Sequence, residues 1–562
     1  MKRIVYLMLL TIGLFCFYCP AHTAQKIYPY RLVYIPGKAL EDMDQVELVR
    51  SIAKTCSERG LNGIAFSGFF DRLDLEPTYN FKNLREIQRI CEKYNVELIP
   101  AIMGVGYNAP ILAHDKNLAE GLPVKDALFV VEKGQANVVP DPAVKVANGS
   151  FEEYQGDKVT GFEYKVKPGV QAFLDTKVFK EGKAALRFEK LDSLGEEASL
   201  VTQEVAVHPR RLYQVSCWVK VEGIKSPGDV FPMLVRGTDG RRLQFYIPPL
   251  PAEGEWRKAV IGFNSVNYDK VTISLGVPGD RNGKFWIDGL KIEEAGLINV
   301  LRRPGTPLVV KGEKDGAVYE EGKDFAPVRD PVMSLLFDHD WPSIKILPGG
   351  RIKDGDRLRV SWYHPLAIYN GQTPVCMSEP KVYEIWSNIA LLIHEYLKPK
   401  KYYLGTDELR MAGSCEACKK RGMTVSQILG DCVTRQEQII RKLNPEAELL
   451  IWSDMFDPNH NALGYQGKYY YHVDETFDNS WKYVPKDLIM VCWYHEVRDK
   501  SLAFFDSQGF RTIGSSSGDL NVARGWLESL DKTPKACGIM YTTWGADYKI
   551  LPEFGDLVNR KK

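Results

Sequence analysis

Residues 401–454, KYYLGTDELRMAGSCEACKKRGMTVSQILGDCVTRQEQIIRKLNPEAELLIWSD, run from one short apolar segment through an amphipathic helix to a second apolar segment. Thr424 and Gln427 stand at capping-box spacing; Val425, Ile428, Leu429, Cys432, Ile439 and Leu443 then recur on one helical face until Asn444-Pro445 ends it. The flanking segments, KYYLGTD (401–407) and ELLIWSD (448–454), are too short for helices and too apolar for loops. Two strands joined by such a helix make a parallel βαβ unit, which needs similar units beside it to bury its faces.

Those units are present. Toward the C-terminus the alternation continues through DLIMVCWYH (487–495), RTIGSSS (511–517) and GIMYTTWG (538–545). Upstream, RLRVSWYHP (357–365) reads as a strand, followed by a helix capped at Ser378 and striped by Val382, Ile385, Trp386, Ile389, Ile393 and Tyr396. Near the N-terminus, YRLVYIP (30–36), GIAFS (63–67) and VELIPAIM (96–103) alternate with two more helices. The first helix carries an Asp44/Glu47 capping box and stops at Gly60; the second spans about 81–94. No Gly-rich phosphate loop follows the first strand, which disfavours a doubly wound sheet. The expected fold is α/β, a (β/α)8 TIM barrel, with nine strand candidates for its eight places.

From Asn148 to Glu294 helical periodicity vanishes, and β-rich segments such as LYQVSCWVKV (212–221) and KVTISLGV (270–277) are separated by Gly, Pro and Asp turns. This pattern predicts an inserted β-sandwich of jelly-roll type. The barrel tolerates it because loop-closure cost grows slowly with length. The expected division is a leader at 1–24, barrel at 25–145, sandwich at 146–296, a β-rich segment at 297–356, and barrel again at 357–562.

At 562 residues and 44% hydrophobic side chains the chain exceeds one ordinary core. Charge is balanced, 73 Lys plus Arg against 72 Asp plus Glu, so neither nucleic acid nor an anionic membrane is an expected partner. A neutral polar ligand fits better: aromatics make up 11% of the chain, and flat rings with a polar handle suit sugars. Lys2, Arg3, the apolar stretch 4–18 and the small-residue end Ala21-His22-Thr23-Ala24 read as a secretory signal cleaved near Ala24. The stretch falls short of the roughly 20 residues of a membrane span, so a secreted or periplasmic protein with no membrane partner is expected. Nine cysteines follow the leader, too few for a disulfide scaffold. Cys415 and Cys418 form a CxxC for which a local disulfide or unpaired thiols are the favoured states; a zinc site would need two more ligands, with Cys376 and Cys432 the candidates.

In such a barrel the active site lies where strands end. Those ends are polar and aromatic: His364 closes one, Asp407 and Glu408 another, then Trp452 and Asp454, Trp493 and His495, and Trp544. Glycosidic cleavage needs an acid for the leaving oxygen and a negative group to stabilise the anomeric carbon, and neighbouring carboxylates can divide these roles. Glu408 in an apolar, aromatic surround would stay protonated and serve as acid. Asp454 is the alternative second carboxylate, ahead of Asp457 and Glu475, and the two histidines could bind hydroxyls.

Tyr403-Leu404-Gly405-Thr406-Asp407-Glu408 resembles the strand-end Gly-x-Asp-Glu of family 20 glycoside hydrolases, the β-N-acetylhexosaminidases and their relatives, with Thr406 where a Gly is common. The resemblance implies Glu408 as acid/base, Asp407 orienting a substrate 2-acetamido group that itself attacks the anomeric carbon, and Trp452, Trp493 and Trp544 as pocket walls. Asn148-Gly149-Ser150-Phe151-Glu152, the segment 213–220 and Phe285-Trp286-Ile287-Asp288-Gly289-Leu290 are similar to the opening, middle and end of family 4 and 9 type carbohydrate-binding modules, with Trp218 and Trp286 as aromatic candidates. The expectation is a glycosidase acting on an oligosaccharide or polysaccharide without a cofactor or metal. The alternatives are another retaining glycosidase using Glu408 and Asp454, and a catalytically silent glycan-binding surface protein.

Overall fold

The computed structural model describes residues 27–36, 40, 43–107, 109–191, 199–223, 232–246, 254–276, 283–368, 371–464 and 472–559. The leader expected at 1–24 lies outside them.

Eight parallel strands close a barrel in chain order: Tyr30–Ile35, Gly63–Phe66, Glu97–Ile102, Lys401–Leu404, Glu448–Trp452, Ile489–Cys492, Arg511–Ser516 and Ala536–Tyr541. The first strand closes the ring by pairing with the second, Leu32 opposite Gly63, and with the eighth, Leu32 opposite Met540. The third and fourth meet at Tyr403–Ala101 and Leu404–Ile102 although the whole insert lies between them. Inside, Leu32, Ile99, Leu450, Val491, Ile513 and Met540 pack into layers. Outside, the helix Val425–Leu443 starts at the Thr424/Gln427 box read from sequence. The helix Pro380–Leu397 is capped at Glu379, one residue past Ser378, because Pro380 fits the first helical position, where no N–H is needed. The first helix is Met43–Arg59, which places Asp44 inside it and not at its cap, and the second is Pro77–Lys93. Between the fifth and sixth strands the described residues form only short 3-10 turns, such as Asp454–Phe456 and Ser480–Lys482.

The insert is nested. A six-stranded antiparallel sheet takes its strands in the order 318–319, 309–312, 357–364, 122–132, 135–138, 344–345. It therefore draws on chain from before and after the sandwich, across the boundaries expected at 145, 297 and 357. The ninth strand candidate, Arg357–His364, belongs here: Val360 pairs with Ala127 and Trp362 with Val124, antiparallel. Its residues alternate between buried and more exposed, as on a sheet with one covered face, whereas the barrel strand Ile489–Cys492 is buried throughout. Within this sheet domain sits the sandwich of two five-stranded sheets, ordered 257–264, 212–222, 284–294, 185–188, 172–175 and 242–246, 233–237, 270–276, 199–206, 163–164. The buried pair Arg211–Glu294, at 3.0 Å, and Arg211 donating to the Lys125 and Asp126 carbonyls root the sandwich on the sheet.

The chain enters and leaves the insert side by side. Ala119 bridges Val375, Glu120 N–H donates to Pro374 O at 2.9 Å and Cys376 N–H to Leu118 O at 2.9 Å. No helix among the described residues is long and apolar enough to cross a membrane.

Candidate active site

At the C-terminal end of the fourth strand the backbone crosses the loop after the third at close range. Val105 N–H donates to Gly405 O at 2.8 Å, and a Cβ on Gly106 would lie 2.2 Å from the Asp407 carbonyl oxygen. The chain then turns through Glu408 in the left-handed region, φ 49°. A non-glycine residue there costs roughly 1–2 kcal/mol, so its neighbours must hold it. One that does is Asp454, whose Oδ2 accepts the Glu408 N–H at 3.0 Å and the Asn461 amide at 2.9 Å.

The Glu408 carboxylate does not sit in the apolar surround expected of it. Arg410 Nη2 reaches Oε1 at 3.1 Å, Gln372 Nε2 reaches Oε2 at 3.1 Å, and the Tyr107 hydroxyl donates to the same oxygen. Arg410 Nε in turn donates to Gln372 Oε1 at 2.6 Å, closing a polar clamp. The environment expected of Glu408 belongs to Asp407, beside Tyr34 and Tyr403. Burial, then the charges of Asp454 and Glu408, push the Asp407 carboxyl well above the usual carboxylate range. Burial pushes Asp454 up to about 6, against the Glu408 N–H, Asn461 and Trp493, which favour its charge. Asp407, which burial biases toward its protonated form, therefore lies beside Asp454, an arrangement suited to dividing acid and base roles.

Aromatic rings wall this acidic centre. Trp452 packs on Tyr34 at 5.3 Å, Tyr403 at 5.0 Å and Trp544 at 5.9 Å between ring centres. Trp493 meets Trp544 at 6.2 Å and His460 at 4.4 Å. Trp452 is 2% exposed, whereas Trp544 is 63% exposed, an open indole at the rim.

Asp407, Glu408, Asp454, Trp452, Trp493 and Trp544 thus come together, and His364 does not join them. His364 ends a strand of the inserted sheet, not of the barrel, and is fully buried. Its Nδ1–H donates to the Pro365 carbonyl at 2.9 Å, so Nε2 accepts the Asn264 amide at 3.0 Å; burial holds the ring neutral by lowering its pKa to about 4. It fastens sheet to sandwich and offers nothing to a ligand at the rim. His495 is exposed at the start of the 3-10 turn His495–Val497, and its carbonyl accepts from Arg498 at 2.9 Å. Of the weaker carboxylates, Asp457 is buried and holds Asn459, and Glu475 accepts the Val425 N–H at the start of a helix. In the sandwich, Trp286 is buried and donates to Asp175, and one face of Trp218 is covered by the Lys180 ammonium, 4.4 Å from the ring centre.

Sequence reasoning missed Tyr107, Gln372, Arg410, His460 and Asn461. Arg410, two residues beyond Glu408, was within reach of a local search for counter-charges; Tyr107 and Gln372 come from the two ends of the insert and share no local pattern.

No protein-family model matches the chain, and no curated protein sequence does. Among solved structures, it is similar to a chitobiase from Flavobacterium johnsoniae at 9% identity and TM-score 0.38, over 95% of this chain and 48% of that one. It is similar to the GH20 exo-β-N-acetylglucosaminidase from Vibrio harveyi at 10% identity and TM-score 0.37, over 94% of this chain and 54% of that one. The CBM22-1 xylan-binding domain from Paenibacillus barcinonensis Xyn10C matches at 20% identity and TM-score 0.19, over 26% of this chain and 91% of that domain. The chain thus spans about half the length of the two enzymes.

Proposed function

We propose that the protein is a glycoside hydrolase acting on β-linked sugars, of the β-N-acetylhexosaminidase kind, secreted or periplasmic by virtue of its leader. The observation that carries this reading is the meeting of Asp407, Glu408 and Asp454 at one barrel rim walled by Trp452, Trp493 and Trp544. In the proposed reaction a pyranose lies on the open indole of Trp544. Glu408, protonated from solvent before each turnover, gives that proton to the leaving oxygen, and the carboxylate so formed takes a proton from the attacking water. Asp407 orients the 2-acetamido group: a carboxyl biased toward its neutral form still accepts an amide N–H through its carbonyl oxygen. The acetamido oxygen attacks the anomeric carbon, and water opens the resulting ring with net retention.

The test is hydrolysis of a panel of aryl glycosides that includes β-GlcNAc and β-GalNAc. Glu408→Gln should lose roughly 10²-fold or more in rate while keeping sugar binding. Equal activity in that variant defeats the assignment, and activity confined to sugars lacking a 2-acetamido group removes the substrate-assisted route.

One observation favours a second reading. The Glu408–Arg410 ion pair holds the proposed acid in a clamp of donors, as would suit a glycan-binding protein without turnover. Sugar binding by the wild type with no hydrolysis anywhere in the panel would select it.

A further inference from the structure

Three cysteines and one glutamate outside the proposed active site meet in the interior. Glu120 lies where the chain enters the insert, Cys376 where it leaves, and Cys415 and Cys418 in the loop that follows Glu408. All four are buried, and one ligand atom from each lies within 4.8 Å of all the others. We propose that Glu120, Cys376, Cys415 and Cys418 bind a zinc ion that clamps the root of the insert to the loop carrying Asp407 and Glu408.

Four of the six distances among these ligand atoms are close to the edges of a tetrahedron, and the other two lie within 4.8 Å. Cys376 Sγ lies 3.4 Å from Cys415 Sγ and 3.7 Å from Cys418 Sγ; Glu120 Oε2 lies 3.8 Å and 3.5 Å from the Cys415 and Cys418 sulfurs. Zinc with Zn–S of about 2.3 Å and Zn–O of about 2.0 Å has S···S edges of about 3.8 Å and S···O edges of about 3.5 Å. A disulfide brings two sulfurs to about 2.0 Å and would leave the third thiol buried against a carboxyl. Three thiolates and a carboxylate suit a tetrahedral ion that accepts sulfur; four protein ligands leave no open position, so the ion is structural.

The surroundings support the ligands. Glu120 Oε1 accepts the Ser414 and Cys415 N–H groups at 2.9 and 2.8 Å, which leaves Oε2 toward the sulfurs. Cys415 caps the short helix Glu416–Lys419, so the CxxC spacing turns Cys418 back toward Cys415. Zinc with three thiolates and a carboxylate carries a net charge of about −2, and a buried cation stands next to it. Arg303 interacts with Cys376, Cys415 and Glu120, held by the Asn117 and Ala119 carbonyls at 2.7 and 2.9 Å. Such outer partners orient ligands and offset charge. Cys432, the other candidate from the sequence, lies against Tyr383 and is not part of the cluster.

The proposal is tested on the full chain, purified under reducing conditions without chelator. Elemental analysis should find stoichiometric zinc. Apo-protein loaded with cobalt(II) should develop thiolate charge-transfer absorption and the visible bands of tetrahedral cobalt. Cys418→Ser should lose zinc affinity by more than the roughly 10- to 100-fold typical of an outer-shell change. Glu120→Gln, which keeps all three thiols, should shift the cobalt bands and serves if the serine variant does not fold. Cys432→Ser should bind zinc as wild type does. Chelation should lower the melting temperature of the wild type. Reduced wild type that takes up neither zinc nor cobalt, a disulfide among these three cysteines in peptides mapped from protein isolated without reductant, or unchanged zinc content in Glu120→Gln and Cys418→Ser alike would overturn the assignment.

Discussion

The main-chain N–H of Glu408 donates to the Asp454 carboxylate at 3.0 Å, which ties the end of the fourth barrel strand to the end of the fifth. Asp454→Asn preserves shape, removes the charge and lets the amide oxygen take over at best part of the accepting role. Under the proposed function, where Asp454 seats Glu408, kcat/KM should fall about 10²-fold, the cost of misplacing a reacting group by roughly 1 Å. Asp454 is ionised above about 6, so wild-type activity should decline as pH falls through that value. The variant should lack this acid limb. Rate profiles taken on both sides of that pH check it; an unchanged limb would assign it to another group.

Gly106 tests how closely the third and fourth loops cross. A methyl group there meets the Asp407 carbonyl at 2.2 Å and the Glu408 carbonyl at 3.0 Å, both backbone atoms that cannot swing aside. Gly106→Ala should destabilise by about 1–3 kcal/mol, as overpacking does. It should also lower kcat, because the shift falls on the acidic pair. Thermal melts and steady-state rates measure the two effects.

Two tryptophans of the same wall should behave oppositely. Trp452 is 2% exposed, and Trp452→Ala should cost about 3–5 kcal/mol in stability. Trp544 is 63% exposed, so Trp544→Ala should leave stability within about 0.5 kcal/mol while raising KM for aryl glycosides several-fold. Denaturant melts beside KM values separate the two roles; an unaltered KM in Trp544→Ala would remove the rim indole from the binding site.

The joint between sandwich and sheet should be sensitive to acid. Burial lowers the His364 pKa from 6.5 to about 4. Below 6.5 the unfolded chain takes up a proton that the folded chain refuses until about 4, so the stability tied to this neutral ring is present above 6.5 and lost as pH falls toward 4. That loss is about 3 kcal/mol when complete. His364→Gln should show a smaller fall in melting temperature on acidification than wild type. It should not abolish the fall, because burial also holds His472 down at about 3.

The barrel was legible because its signal is local. Each strand and helix carries its own period, and the Thr424/Gln427 box marks a boundary to the residue. The misassigned strand, Arg357–His364, carried its own correction in the polar–apolar alternation of RLRVSW, which belongs to a sheet with one solvated face. Its partner, Leu122–Glu132, lies more than two hundred positions away, and no local period encodes such a pairing. The acids and indoles were found because strand ends are where this architecture gathers function. The Glu408 clamp escaped because Tyr107 and Gln372 are separated along the chain by nearly the whole insert, and no local pattern links them. The same holds for Glu120, which joins the cysteines across nearly three hundred positions.

The paired crossing at Ala119 and Val375 brings the two ends of the insert together on the barrel. The insert also rests on barrel loops beyond that crossing: Arg241 donates to the Val473 carbonyl at 2.8 Å, and His472 Nε2 meets the Leu243 carbonyl at 2.7 Å, in the stretch between the fifth and sixth strands. Tyr107, on the barrel side of the crossing, and Gln372, on the insert side, both grip Glu408, so the proposed acid is held partly by the insert itself. A shortened or exchanged insert that loses Gln372 would therefore loosen Glu408 although every barrel strand is untouched.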